Sequence, residues 1–333
     1  MGGDEGWVSA REDAMTPRSI MTVAINEIFR RRSVERRPEP DLVMNKAFSV
    51  KAYVAAGREL GVLKPVYLFH AAQISEILRP GDRAIDLACG PATLLCMVAK
   101  MNPEVHFTGF DLSDEMLGYA RQYAEVCGID NVEFRRCDIT DLRCLDSGSV
   151  NAVFSTLALH HLPDAQHLER TFSEIDRVLE QSGSVYLLDL GLLKTETAIK
   201  EFAYQYADAQ PEVFTEDYYH SLHAAFPAER YRLLTEKHLS GRARTYFSFP
   251  VPYNVAVKGE VRCGFDKMVV RSLAEYVGRL SRAQEADLRA LRLSFAVGGL
   301  KSRFLDKALA ESRLSAGTPV LSSTAEVDGR QLA

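Results

Sequence analysis

Three things are missing from this sequence. No uninterrupted apolar run approaches the roughly 18–20 residues of a membrane-spanning helix, because Lys, Arg, Asp or Glu breaks each one first, so no membrane span is expected. The six cysteines (Cys89, Cys96, Cys127, Cys137, Cys144 and Cys263) come without a C-x-x-C pair or a secretory signal, and read as reduced thiols of a cytoplasmic protein. They also lack metal-ligand spacing, since Cys137 and Cys144 are close but have no third thiol nearby, and no metal is expected. Nor is there surplus positive charge. Lys and Arg number 40 against 45 Asp and Glu, and a formal net charge of -5 offers no global attraction to polyanions. A small-molecule partner is expected, and no nucleic acid.

What is present is an ordinary globular composition: 333 residues, 47% apolar and 26% charged, enough for one large domain with added helices. Residues 1–40 read as poorly ordered or helical, with Ile20–Phe29 amphipathic and Arg30-Arg31-Arg32 a solvated helix face. From Lys46 to Ile77 apolar positions recur by threes and fours, so residues 41–80 are expected to supply helices that cap a ligand site or cover a sheet edge. Five apolar runs then alternate with amphipathic helices: Arg83–Leu87, Val105–Phe110, Val132–Arg135, Ser149–Ser155 and, after a turn at Gln181-Ser182-Gly183, Ser184–Asp189. That alternation predicts an α/β fold with a doubly wound, mostly parallel sheet. Two further β-prone runs, Ala243–Phe249 and Asn254–Val257, suit an antiparallel hairpin at one edge. The ligand-binding domain is thus expected over 81–260, with an inserted helical lid at 196–237, and 261–333 as a helical extension and tail.

Three acids follow successive strands. Asp86 lies in Ala84-Ile85-Asp86-Leu87-Ala88-Cys89-Gly90-Pro91-Ala92, where a strand runs through small residues into a helix; in this topology ligands sit beyond the carboxyl ends of the strands. Asp111, in Phe107-Thr108-Gly109-Phe110-Asp111-Leu112-Ser113, is placed to accept from both hydroxyls of a ribose, a feature shared with NAD enzymes. Asp138, in Phe134-Arg135-Arg136-Cys137-Asp138-Ile139, suits an adenine amino group, with Ile139 against the ring. Charge separates the candidate cofactors. A dinucleotide sets its pyrophosphate on the loop after the first strand, where Asp86 opposes it, whereas S-adenosylmethionine carries a sulfonium and an ammonium and no phosphate. The loop also holds Ala88 where a dinucleotide turn needs its first glycine.

Asp86 to Ala92, Gly109 to Leu112, Asp138-Ile139 and Leu159-His160-His161-Leu162-Pro163-Asp164 resemble the successive motifs of class I S-adenosylmethionine-dependent methyltransferases. Over about residues 70–192 the chain is most similar to the small-molecule branch that includes ubiquinone and menaquinone C-methyltransferases. The resemblance implies a Rossmann-like sheet of seven strands, S-adenosyl-L-methionine as cofactor, and in-line methyl transfer to a small-molecule acceptor such as a secondary metabolite. By the same resemblance, Asp86 and the backbone of Ala88, Cys89 and Gly90 hold the methionine part. Asp111 takes the ribose with Leu112 beside the adenine, Asp138 and Ile139 take the adenine edge and face, and Ser155 and Thr156 approach the methionine part through their backbone. Ala88 and Ala92 depart from the family, which usually has glycine at both. Two alternatives stay open: a fold relative that uses the cofactor for other chemistry or senses it, and an NAD-dependent oxidoreductase.

Methyl transfer from a sulfonium releases a neutral leaving group, so positioning and exclusion of water supply most of the acceleration, with effective molarities worth roughly 7–11 kcal/mol. His160 is the candidate general base or acceptor-orienting group, with a structural histidine bonded to the loop backbone as the alternative. His161 is expected to point away and pack. In the lid, Phe214-Thr215-Glu216-Asp217-Tyr218-Tyr219-His220 combines aromatic faces with polar tips, and Tyr218, Tyr219 and His220 are candidate substrate contacts; an ordinary helix pair explains them equally.

Overall fold

The computed structural model describes residues 17–39, 63–205, 207, 212–264 and 266–316; residues 40–62, part of the expected N-terminal helices, lie outside it. Seven strands form one sheet: β1 (Arg83–Leu87), β2 (His106–Asp111), β3 (Val132–Arg136), β4 (Val150–Thr156), β5 (Leu179–Leu190), β6 (Ala243–Phe247) and β7 (Asn254–Gly259). Their order is β3-β2-β1-β4-β5-β7-β6. β1 to β5 run parallel, and β7 is antiparallel to both of its neighbours. The order reverses between β1 and β4, which places a crevice at their carboxyl ends.

Strand periodicity divides the core into two layers. Ala84, Ala152 and Phe154 face one side, packed under α2 (Lys64–Ser75), α3 (Thr93–Met101) and three C-terminal helices, α9 (Lys267–Val277), α10 (Arg282–Val297) and α11 (Arg303–Ala316). Ile85, Leu87 and Val153 face the other, under α5 (Ala165–Val178) and α8 (Ala228–His238). The helix α4 (Asp114–Cys127) joins the first layer through Ala120 and Ala124. α2 therefore covers a sheet face, with eleven of its twelve residues buried, and is neither a cap over the strand ends nor an edge cover. Caps fix the helix starts: Ser113 accepts from Met116 N–H at 3.2 Å, and Asp164 accepts from Gln166 and His167 N–H at 2.8 and 2.9 Å.

Two expectations change here. The turn expected at Gln181-Ser182-Gly183 is a bulge within β5. Pairing passes from Val150↔Leu179 to Ala152↔Ser184, so two steps on β4 match five on β5 and the extra residues loop out. The arginine run is not a helix face, because α1 (Pro17–Phe29) ends before it. Arg32 instead donates to the Leu192 carbonyl at 2.7 Å, and the chain from Ser33 to Glu39 runs as an irregular strap toward the strand ends. There it meets α6 (Glu196–Tyr204) and α7 (Glu212–Ala224), which with α8 occupy the expected lid segment, Ser33 N–H bonding to Lys194 O and Arg37 N–H to His223 O. Among the described residues no helix is long and apolar enough to cross a membrane.

Candidate active site

The loop after β1 is bent by two left-handed alanines. Ala88 and Ala92 both have φ 58°, and Gly90 between them has φ 53°. The alanines thus take the conformation that glycine adopts freely, at a cost of about 1 kcal/mol each. The bend is tied to β2: Cys89 N–H donates to Phe110 O at 2.8 Å, and Gly90 N–H donates to Asp111 Oδ2 at 2.9 Å. Gly109 makes the approach possible, since a methyl group there would come within 2.8 Å of Cys89 Sγ. Ser113 N–H donates to Asp111 Oδ1 at 2.8 Å, so that carboxylate is oriented from both sides.

Asp86 and Asp111 share this crevice. Burial raises the Asp86 pKa well above the carboxylate range, with the Asp111 charge adding to it. Burial raises Asp111 too, against the pull of its backbone donors. Among the described residues the Asp86 carboxyl accepts no hydrogen bond, and neither acid has a Lys or Arg ion-pair partner. Two desolvated carboxylates without a cation form a site that favours a positive ligand and disfavours a phosphate. Burial, reinforced by these two charges, also raises the Cys89 thiol pKa, which keeps it protonated and unsuited to nucleophilic attack.

The remaining expected cofactor residues flank this pair. Leu112 follows Asp111, half-buried. Asp138 is exposed after β3 with Oδ1 engaged by Thr140 N–H at 2.8 Å, and Ile139 is buried beside it. Cys137 and Cys144 meet near that loop, Sγ to Sγ 3.3 Å, as free thiols. Thr156 ends β4 half-buried, while Ser155 is fully buried with Oγ donating to Leu87 O at 2.7 Å; its hydroxyl joins β4 to β1 rather than facing the crevice.

On the other side of the crevice a polar cluster surrounds His160. Its ring Nδ1 lies 2.6 Å from Asp189 Oδ1, and its backbone N–H donates to Asp189 Oδ2 at 2.9 Å. Asp189 is fully buried near the end of β5, so the imidazole is clamped through ring and backbone together. Burial alone lowers the imidazole pKa, but the Asp189 charge and hydrogen bond outweigh it, and the net direction is upward. His161 corrects an expectation: it packs against His160 with ring centroids 4.2 Å apart and places Nδ1 3.1 Å from Glu39 Oε2. Glu39 arrives on the strap and also accepts from Ser221 Oγ at 2.7 Å. Burial opposes its charge, yet the His161 hydrogen bond and the two imidazoles bring its pKa down to about 2.

The strap is latched by Arg36. Its guanidinium donates to the carbonyls of Ala224, Pro163, His160 and Leu162 at 2.7, 2.7, 2.9 and 2.5 Å, and stacks on Phe226. From α7 the cluster receives Asp217 and Ser221, which are four residues apart and share a helix face. The expected substrate contacts on α7 turn elsewhere for the same reason. Tyr219 bonds Glu196 at 2.6 Å, Tyr218 packs with the α1–α6–α7 cluster, and His220 is exposed. Sequence reasoning missed Arg36, Glu39, Asp189 and Ser221, and took in Asp217 only as part of the lid tract. Of the missed residues Asp189 carried a signal, as an acid ending an apolar strand like Asp86 and Asp111.

Residues 78–231 match the methyltransferase-domain family. Residues 78–231 are a methyltransferase domain. Its cofactor is S-adenosylmethionine, and the crevice carboxylates, neither with a Lys or Arg partner among the described residues, fit a sulfonium and an ammonium. The methyltransferase domain is 34% identical over 115 residues to an arsenite methyltransferase of Halobacterium salinarum, a match covering 34% of this chain and 28% of that protein. It is 31% identical over 124 residues to 27-O-demethylrifamycin SV methyltransferase of Amycolatopsis mediterranei, covering 37% and 44%. It is 29% identical over 128 residues to the U6 snRNA (guanine-N(2))-methyltransferase THUMPD2 of Bos taurus, covering 38% and 25%. The chain therefore spans less than half the length of each of these relatives.

Proposed function

We propose that this chain transfers a methyl group from S-adenosylmethionine to a small-molecule acceptor held between the crevice and α7. The observation that carries this reading is the juxtaposition of the cation-seeking pair Asp86 and Asp111 with the His160–Asp189 clamp across the same strand ends. When bound, S-adenosylmethionine supplies an electrophilic methyl group on a sulfonium. Asp86 and the Ala88–Gly90 backbone hold the methionine part, Asp111 with Leu112 the ribose and adenine, and Asp138 with Ile139 the adenine edge and face. Thr156 and the backbone of Ser155 border the methionine part. His160, fixed by Asp189, orients the acceptor, while the strap and α7 keep water out.

The acceptor end is rich in carboxylates, with Glu39, Asp189 and Asp217 gathered around the histidines. That surrounding suits an uncharged or cationic small molecule and repels a phosphate backbone, so it favours the rifamycin-type relative over the RNA-modifying one. The six free thiols support a reducing compartment such as the cytoplasm.

Calorimetric titration with S-adenosylhomocysteine and with NADH tests the cofactor half: the first binds and the second does not. Asp111→Ala is expected to weaken S-adenosylhomocysteine about ten- to hundredfold, the loss of hydrogen bonds to a charged acceptor. Unchanged affinity removes the ribose assignment. A tritiated methyl donor offered with a panel of small acceptors tests transfer. With an accepted substrate, His160→Ala should lose turnover and keep cofactor affinity; unchanged turnover would free His160 from any role at the acceptor.

A further inference from the structure

Glu39, His160 and His161 come from segments more than a hundred residues apart, yet their ligand atoms lie within 4.8 Å of one another. Two imidazoles and a carboxylate are a donor set for borderline divalent transition metals, and three protein ligands leave coordination positions open to an acceptor. The supports that usually orient such ligands are already present. Asp189 occupies Nδ1 of His160 at 2.6 Å, which leaves Nε2 for the cluster, and Ser221 holds Glu39 Oε1 at 2.7 Å.

The separations are nearly those an ion needs. Ligand atoms about 2.1 Å from a common metal stand about 3.0–3.4 Å apart at octahedral or tetrahedral angles. His161 Nδ1 and Glu39 Oε2 are 3.1 Å apart, already in that range. His160 Nε2 and Glu39 Oε1 are 3.8 Å apart, too far for a hydrogen bond and a closure of about half an ångström from a shared ion. Charge points the same way: Asp217 adds a third carboxylate, while the nearby Arg36 guanidinium, which feels the Asp189 and Glu39 charges, donates to four carbonyls and forms no ion pair with either acid.

We infer that Glu39, His160 and His161 bind one divalent transition-metal ion of the zinc or iron(II) kind at the acceptor end of the crevice. His160 then orients the acceptor through the ion, and the acceptor class narrows to molecules with an oxygen donor, such as a hydroxyl or an enolate. That narrowing rests on the methyl-transfer reading; the metal site itself does not.

The full-length chain, stripped with a chelator, is titrated with Co²⁺ and followed by visible absorption, then challenged with Zn²⁺ and with Mg²⁺. One equivalent of Co²⁺ should produce ligand-field bands without thiolate charge transfer, displaced by Zn²⁺ and not by Mg²⁺. His161→Ala and Glu39→Gln should each weaken binding by more than the roughly 10–100-fold expected of an outer-sphere loss. S-adenosylhomocysteine titration on the same samples shows that each variant is folded. No stoichiometric Co²⁺ in the wild type, binding that survives both substitutions, or thiolate bands that place the ion on Cys137 and Cys144 overturns the inference. A wild type that binds S-adenosylhomocysteine but no metal defeats this inference alone, whereas absent cofactor binding defeats the proposed function.

Discussion

His70 offers a sharp test of the electrostatics beneath the sheet. It lies on α2, fully buried, with Nδ1 2.9 Å from the Tyr186 hydroxyl and Nε2 without a hydrogen-bond partner among the described residues. Burial lowers its pKa from 6.5 to about 3. Between those values the unfolded chain binds a proton that the native state refuses, so the stability contributed by this neutral histidine is complete above pH 6.5 and is lost as the pH falls toward about 3. Each pH unit in that window is worth about 1.4 kcal/mol. From about pH 7 to about pH 4.5 the loss is about 2.5 kcal/mol. His70→Gln keeps a hydrogen-bonding group toward Tyr186 and removes the titration. Other groups with displaced pKa, such as Glu39 and Asp86, tilt both curves alike, so the difference between the proteins is the quantity to measure. Urea unfolding of both across this range should show the stability difference shifting by about 2.5 kcal/mol in the variant's favour on acidification. A difference constant within about 0.5 kcal/mol would refute the claim that the buried imidazole stays neutral.

Asp86→Asn removes a buried charge repelled by Asp111, so the ligand-free protein should melt higher while S-adenosylhomocysteine raises its melting temperature less than in the wild type; scanning fluorimetry reads both. Arg36→Met strips a charged donor from four carbonyls and should destabilise by about 2–4 kcal/mol, with proteolytic nicking appearing near α7; an unchanged unfolding midpoint would mean that the strap is not docked. Ala92→Val places a β-branched residue at φ 58° in a fully buried position and should cost about 2 kcal/mol or more by denaturant titration, whereas Ala92→Gly should stay within about 1 kcal/mol of the wild type.

The sheet was legible because its signals are local. β1, β2 and β4 each read as an apolar run whose alternate residues enter opposite core layers, β3 packs one face only through Val132 and Phe134, and Asp86 and Asp111 sit at strand ends, where topology alone directs them to the crevice. The edge pair was legible through Pro250-Val251-Pro252, which separates β6 from β7. Less visible was anything that depends on distant contact. Glu39 stands in a charged, proline-flanked segment and has meaning only once the strap crosses the strand ends. The lid residues were assigned by type rather than by face: Tyr218 and Tyr219 have the look of a pocket lining, but a rotation of 100° per residue gives that position to Asp217 and Ser221. The bulge in β5 was hidden because Gln181-Ser182-Gly183 is turn-like in composition, and only the pairing of Val150 and Ala152 decides that the strand continues through it.

The strap also sets a limit on how far this catalytic crevice is portable. A fragment trimmed to residues 78–231 would shed Arg36 and Glu39 along with β6 and β7, and β5 would become a naked edge with its backbone groups open to self-association. Transplanting the centre into another scaffold therefore requires three pieces of chain, the parallel half-sheet, the 33–39 crossing and the 243–259 hairpin.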